Sequence, residues 1–506
     1  MGSVGEYLVL DVGTTSVKVS IFDRNFRLTG HAGSEYVLDA KDGFVELDPQ
    51  IYIEAVRQGV GKVLEQNAGT HIRGIAITTQ GETIIPVDEH GNPLSKAIVW
   101  LDGRAEEQAE KIRSIVPEDV FYAKTGVPNC NGQVPISKLL WIREKTSVYE
   151  RTKYFLLLED YLIHWLTGEF VTEKALMSTT GYFDICNDRL WTEVLEKIGI
   201  DGNKIPRIAE CGTPVGRILP EKAELLGISP DAVVVTAAMD QICSAVGAGN
   251  CFPGSVTETT GTAMCVGVTV DGFQVFQENK IPVYRHFEKN KYMLISICMT
   301  AGMALKWFKD TFCREEEKMA QKLGVSVYEL LDSQAGKSQP LSGGVVMVPY
   351  LSGSIQPLDA PELRGGFLGV GLDNTKADFI RSIMEGVAFM LRENLELLET
   401  VTGQRIEQVV SLGGGAKGEF WCQIKADAAD VRIRRSLQSE TTSVGAAILC
   451  AVGLGDHGTV EKAVQLLSQE CKEFRPQHHL REPYDRAYRY YLGYLNWAYE
   501  NRDRHS

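Results

Sequence analysis

The chain has 506 residues, long enough for more than one domain with a sizeable core. A hydrophobic content of 44% with 23% charged residues is that of an ordinary globular protein, and a net charge of −14 argues against non-specific binding to nucleic acid or anionic membranes. Eleven cysteines, scattered singly without a CxxC pair, exclude a zinc ribbon and argue against a disulfide framework. The first residues lack the basic-then-apolar pattern of a secretory leader, and the most apolar region, 232–248, carries Asp240 at its centre. A cytoplasmic protein without a membrane span is the expectation.

Residues 7–23 read as strand, turn, strand. The apolar run stops at Asp11, Gly13 with Thr14 and Thr15 can form the turn, and Val17, Val19 and Ile21 then alternate with polar positions, predicting one buried face on the second strand. The turn offers a carboxylate, two hydroxyls and a row of backbone N–H groups, which suits a phosphate with its magnesium ion. An ordinary polar hairpin uses the same residues, so this stretch decides nothing alone. Residues 43–49 are extended and lead into a helix for which Pro49 suits the first turn, with Ile53, Val56, Val60, Val63 and Leu64 at helical spacing. Residues 74–81 form a buried strand ending in polar Gln80 and Glu82, and 97–104 form another that ends in Trp100, Asp102 and Arg104. Helices are predicted over 137–145 and 160–166, and residues 233–240 form a strand running into Asp240.

The pattern then restarts. Residues 255–270 are again strand, a Thr260-Gly261-Thr262 turn, and strand. Residues 344–349 form a strand, and 378–400 carry the clearest helix, with Phe379, Ile380, Ile383, Met384, Val387, Leu391, Leu395 and Leu398 as its apolar stripe and Gly403 at the C-cap. A strand over 409–412 runs into the Gly413-Gly414-Gly415 loop and a further helix, and an aromatic-rich helix is predicted over 484–499. Two similar halves imply two α/β domains facing a shared cleft, 1–250 and 251–506.

Gly336-Lys337-Ser338 resembles the end of a P-loop, but the first glycine would fall on Leu331, so that motif is rejected. Gly413-x-Gly415-x-x-Gly418 satisfies the dinucleotide pattern, with Glu440 near the expected spacing of the ribose acid, yet it sits deep in the second half rather than opening a domain. Its consecutive glycines let a flat ligand approach the main chain. Asp240 stands where desolvation raises a carboxyl pKa, as a general base for a sugar hydroxyl requires; it could equally serve only as a helix cap, and the local sequence leaves both open. The cysteines read as core residues, and the isolated His164 and His286 as structural.

Together these motifs resemble the FGGY carbohydrate kinases, relatives of actin, hexokinase and the large heat-shock chaperones, over nearly the whole chain. Asp11-x-Gly13-Thr14-Thr15 with Lys18 is similar to the family's first phosphate loop, and Thr260-Gly261-Thr262 to its second. Trp100-x-Asp102-x-Arg104, Lys138-Leu-Leu-Trp141 and Leu166-Thr-Gly168 fit, and Asp240-Gln241 looks like the catalytic acid and its neighbour. Gly365-x-Phe367-x-Gly369-Val370 followed by Asp378-Phe379-x-x-Ser382-Ile-Met-Glu385 fits the C-terminal signature. The resemblance implies two ribonuclease H-like (actin/hexokinase-type) domains around a central cleft. The first would bind sugar and carry the first phosphate loop, and the second would carry the other loop and the adenosine site. It further implies ATP and Mg2+ as cofactors, Asp240 as base, and Asp11 and Asp240 near the metal. Thr14, Thr15, Lys18, Gly261, Thr262, Gly302, Lys306, Gly413, Gly414, Gly415 and Gly418 would face ATP. Gln80, Gly81, Glu82, Trp100, Asp102, Asp240 and Gln241 would face the acceptor.

The departures bear on substrate. Xylulose kinases carry Gln-Met-His-Gly and glycerol kinases Gln-Arg-Glu-Thr where this chain has Gln80-Gly81-Glu82-Thr83, and Gln133 and Cys265 stand where glycerol kinases place aromatic residues. Small Gly81 leaves room for more than glycerol, and Glu82 can accept from two hydroxyls. The expectation is phosphorylation of a ketopentose of the xylulose type or a four- to five-carbon polyol, with glycerol as the alternative. A nucleotide-driven binding module like actin or the chaperones is the rival from another class, and a dehydrogenase a second. Small-molecule sugar and ATP are the expected partners, with no nucleic acid or membrane; a homodimer is left open.

Overall fold

The structure, a computed structural model, describes residues 5–41, 43–356, 360–436, 440–467 and 471–501. The chain divides into two compact units. One comprises Met1–Pro253, Thr269–Leu294 and Glu440–Gln469, and the other Gly254–Val268, Ile295–Ser439 and Glu470–Ser506.

The first unit is built on a six-stranded sheet in the order Pro214–Arg217, Val233–Thr236, Ile72–Thr79, Glu6–Val12, Ser16–Phe22, Leu28–Glu35. Glu6–Val12 pairs antiparallel with Ser16–Phe22 and parallel with Ile72–Thr79, which pairs parallel with Val233–Thr236. The second strand differs from expectation: Ser20 and Phe22 are buried as well as Val17, Val19 and Ile21, because both faces of the sheet are covered. Helix Pro49–Gln66 packs over one face, placing Tyr52, Ile53, Val56, Val60 and Val63 in a core with Leu8, Leu10 and Val12. Asp48 caps it by accepting from the Gln50 N–H at 2.9 Å, and Pro49 occupies the first turn as the sequence predicts. The opposite face takes helix Thr441–Gly453, which returns from far along the chain and packs against Glu6–Val12 and Ile72–Thr79. A smaller antiparallel sheet, Asp39–Lys41, Phe44–Leu47, Ala97–Ile98, Ile84–Val87, Tyr154–Leu157, flanks the residues 80–83.

The second unit repeats the pairing pattern. Val256–Thr260 pairs antiparallel with Met264–Asp271 and parallel with Gln408–Leu412; that strand pairs parallel with Arg432–Ser436, which in turn pairs antiparallel with Cys471–Phe474. The topological counterpart of the Asp11 turn is therefore the Thr260 turn, as the repeated motif predicts. Helix Lys376–Thr402 buries Ile380, Ile383, Met384, Val387, Leu391, Leu395 and Leu398 and ends at Gly403 in the left-handed conformation (φ 66°). It runs two residues beyond the expected limits at each end, because Asp378 accepts from the Thr375 N–H at 2.7 Å and caps an earlier start. Glu385 of the same signature is tied to Arg381, Ser342 and Tyr484, so this part of the signature holds the fold. Among the described residues no helix is long and apolar enough to cross a membrane.

Candidate active site

Three acids of the first unit converge at strand ends. Asp11 lies opposite Lys18 in the hairpin and beside Thr78 in the next strand. It is 8% exposed, and burial pushes its carboxyl up to about 6, with Lys18 opposing and Glu440 adding to the shift. The turn beyond it is ordered: the Tyr36 hydroxyl donates to the Gly13 carbonyl, and the Trp100 indole N–H donates to the Thr14 hydroxyl at 3.1 Å. Thr15 is exposed. Lys18, read as an ATP contact, is paired with Glu440 at 3.1 Å, and this pairing also places Glu440 in the first unit, apart from the glycine loop it would serve in a dinucleotide fold.

Asp240 begins helix Asp240–Gly247 rather than capping it, and its Oδ1 accepts from the Gln241 N–H at 2.7 Å. Burial pushes its carboxyl up to about 7, and the charges of Asp11 and Glu82 push the same way. The approach to it is held at two points. The Ala237 N–H donates to Glu159 at 3.1 Å, and the Thr78 hydroxyl donates to the Ala238 carbonyl at 2.7 Å. The helix itself is locked against Thr441–Gly453 by close backbone approach: a Cβ on Gly445 would lie 1.8 Å from the Cys243 carbonyl oxygen.

The residues expected to face the acceptor differ in availability. Gln80 is buried; its Nε2 reaches Thr83 at 3.3 Å and Tyr52 at 3.5 Å, while its Oε1 has no partner among the described residues. Thr83 in turn accepts from the Trp100 N–H at 3.3 Å, so Gln80 and Trp100 share one support. A Cβ at Gly81 would meet Thr179 only at 3.5 Å, ordinary contact that leaves space. Glu82 adopts the left-handed conformation (φ 69°). Burial pushes its carboxyl up and the Lys138 ammonium down, each partly offset by the other's charge. Asp102 is a correction in kind: it is fully buried, and its oxygens accept from the Val45 N–H at 2.6 Å and from Arg104 Nε at 2.8 Å. It orders the loop carrying Trp100 and presents no free acceptor. Arg104 completes that brace, stacked between Phe44 and Trp141 at 4.2 and 4.9 Å.

In the second unit Gly261, Thr262, Gly302, Lys306, Gly414, Gly415 and Gly418 line one cavity of about 470 Å3, together with Leu305, Tyr328, Asp332 and Trp421. At one end helix Gly302–Phe312 starts against the Thr260 turn, its Gly302 and Met303 N–H groups donating to the Gly261 and Thr262 carbonyls at 2.9 and 3.2 Å. The glycine loop does not behave as expected throughout. Gly413 (φ 78°) and Gly415 lack side chains because Thr260 fills the space: a Cβ on either would lie 2.7 and 2.6 Å from its atoms. Only Gly414 keeps an open approach. Lys306 lines the cavity while paired with Asp310 at 2.5 Å.

Sequence reasoning missed the polar supports beneath these loops. Lys425, fully buried, donates to Glu258 at 2.9 Å, to the Thr260 hydroxyl at 2.9 Å and to Ser411 at 3.2 Å. Lys138 donates to the Val99 carbonyl at 3.0 Å behind the Trp100 loop. A charged residue inside an apolar helix pattern is the only local signal for either, and it does not name the partner. The donor chemistry fits the metal that the resemblance implies: Asp11 and Asp240 offer carboxylate oxygens, the ligand type of a hard cation. That suits Mg2+, which takes one or two carboxylates and completes its shell with water and phosphate.

Comparison with known proteins bears on the family and the fold. The N-terminal domain of the FGGY family of carbohydrate kinases matches residues 6–247, and its C-terminal domain matches 257–454. The chain belongs to this family and is an ATP-dependent carbohydrate kinase. A protein named xylulose kinase from Staphylococcus epidermidis is 29% identical over 489 residues, covering 96% of this chain and 95% of its own. A gluconokinase from Bacillus subtilis is 28% identical over 457 residues, 90% and 88% of the two chains. The fold matches ligand-bound xylulose kinase from Lactobacillus acidophilus with TM-score 0.89 at 24% identity, over 99% and 100% of the chains. It also matches Plasmodium falciparum glycerol kinase with ADP, TM-score 0.87 at 22% identity over 98% and 99%. The fold is therefore the α/β, two-domain, actin/hexokinase-like fold of these kinases.

Proposed function

We propose that the protein transfers the γ-phosphoryl group of ATP to a hydroxyl of a ketopentose of the xylulose type or of a four- to five-carbon polyol, with Asp240 as the base. The observation that carries this reading is Asp240 itself: a partly buried carboxylate, pushed up to about 7 by desolvation and so matched to a proton acceptor near neutral pH, on a segment tethered through Ala237 and Ala238. The acceptor hydroxyl gives its proton to Asp240 as its oxygen bonds to the γ-phosphorus, the bond to the β-phosphate oxygen breaks, and ADP leaves. Gln80 Oε1, an acceptor without a partner, and Glu82 bind acceptor hydroxyls, while Trp100 and Gln241 line their surroundings. Thr14 and Thr15 in the first unit, and Thr262 and the glycine loop in the second, supply hydroxyl and N–H donors to phosphate oxygens, while Gly261 and Gly302, whose N–H groups bond to protein carbonyls, shape the turn beside them. Asp11 and Asp240 would hold magnesium, which when bound would neutralise charge on the phosphates.

The charges of Asp11 and Glu82 both bear on Asp240, which disfavours an acceptor that carries its own carboxylate, such as gluconate. Glycerol is the second reading, favoured by Gln80, Glu82 and Thr83, which match its kinases. The cysteines form no disulfide framework, which supports a reducing compartment, the cytoplasm. The test is ADP release against pentuloses, tetritols, glycerol and gluconate. Xylulose or a tetritol should give the highest kcat/KM, and Asp240→Asn should lower kcat by about 10²–10⁴-fold or more while ATP still binds. Wild-type turnover in Asp240→Asn would remove the base assignment, and the highest kcat/KM on gluconate would overturn the substrate class.

A further inference from the structure

The cavity of the second unit contains a carboxylate that no step above uses. Asp332, on helix Val327–Ala335, lines it beside Tyr328 and Trp421. Its Oδ2 lies against the glycine loop so closely that a Cβ on Gly418 would stand 2.5 Å away. A side chain at the last glycine of the dinucleotide-like pattern would push the Asp332 carboxylate from this place, so the glycine leaves the carboxylate room beside the loop. Among the described residues no donor or cation pairs with the Asp332 side chain, and burial with the charge of Glu329 pushes its carboxyl up to about 6. At neutral pH it is ionised and can only accept.

An acceptor in a cavity wall, without a donor from the protein, calls for a donor on the ligand. Phosphates cannot be that group, since they are acceptors and anionic themselves; they belong with the donors of Thr262 and the glycine loop. The donors on the other end of ATP are the ribose hydroxyls and the exocyclic amino group of adenine. We propose that Asp332 recognises the nucleoside part of ATP by accepting a hydrogen bond from one of these donors. This rests on the reading that the cavity holds ATP.

The test compares kcat/KM for ATP, 2′-deoxy-ATP, 3′-deoxy-ATP and the triphosphate of purine riboside, which lacks the amino group, at fixed acceptor. The wild type should prefer ATP over at least one analogue by about tenfold or more, because a site built to accept a hydrogen bond rejects a ligand lacking the donor. Asp332→Ala should lose that preference by losing activity with ATP and little with the analogue, and the analogue concerned identifies the donor. Asp332→Asn, isosteric and checked by thermal melting, should reduce the same preference if the alanine variant does not fold. No preference in the wild type, or an unchanged preference in a folded variant, overturns the proposal while leaving the nucleotide site intact. Absence of any ATP-induced thermal shift in the wild type would instead overturn the site itself.

Discussion

The indole N–H of Trp100 donates to the hydroxyl of Thr14 at 3.1 Å, so the loop after Ala97–Ile98 and the turn after Asp11 form one hydrogen-bonded piece. The residues expected to meet the acceptor and those expected to meet phosphate are thereby coupled inside the first unit. A change at one should be felt at the other.

Trp100→Phe keeps most of the ring and removes that bond. Its kcat/KM should fall about tenfold, the scale of one hydrogen bond of roughly 1.4 kcal/mol. Thr14→Val should fall by a similar factor, and the double variant should show little further loss, a coupling that steady-state kinetics on the four proteins measures.

Lys425→Met leaves Glu258 buried without its cation. Denaturant unfolding should show a loss of about 3–5 kcal/mol, and Lys425→Met with Glu258→Gln should recover part of it, since removing both charges costs less than removing one. Because Lys425 also holds the Thr260 hydroxyl, KM for ATP should rise in the double variant while KM for the acceptor stays near wild type.

Glu393, which accepts from Tyr350 at 2.9 Å and Tyr491 at 3.2 Å, has its carboxyl pushed by burial from 4.5 up to about 7. Between those values the native carboxyl holds a proton that the unfolded chain has lost, so this group makes stability fall as pH rises through that window. Glu393→Gln should melt close to wild type at pH ~4.5 and above it at pH ~8.5, by at most about 3 kcal/mol. Equal melting shifts at both pH values would show that the carboxyl does not titrate in this way.

How much of the site is legible in the sequence follows from the range of each signal. Asp11 and Thr260 are legible because an apolar run, a stop and a small-residue turn are consecutive in the chain, and the same outline appears twice. Helix Lys376–Thr402 is legible because its buried positions recur at helical spacing. Asp240 can be singled out as an acid among small apolar residues, but the tethers just before it join Ala237 to Glu159 and Ala238 to Thr78, 78 and 160 positions apart. Asp102 shows the limit from the other side: its motif is readable, yet its carboxylate is used by Arg104 and Val45, a use that only the packed loop reveals.

By itself the sequence determined the two strand–turn–strand loops, the acid that follows strand Val233–Thr236, and the glycine loop, because each is a local pattern with a local physical cause. Only the tertiary structure decided how those pieces are held. It returned Thr441–Gly453 to the first sheet, where Gly445 meets the Cys243 carbonyl and sets the helix of Asp240. It put Lys425 beneath Thr260 and Asp332 against Gly418. These depend on which distant segments bury one another's surface, and an unpaired charge or a missing side chain in the sequence does not name its partner.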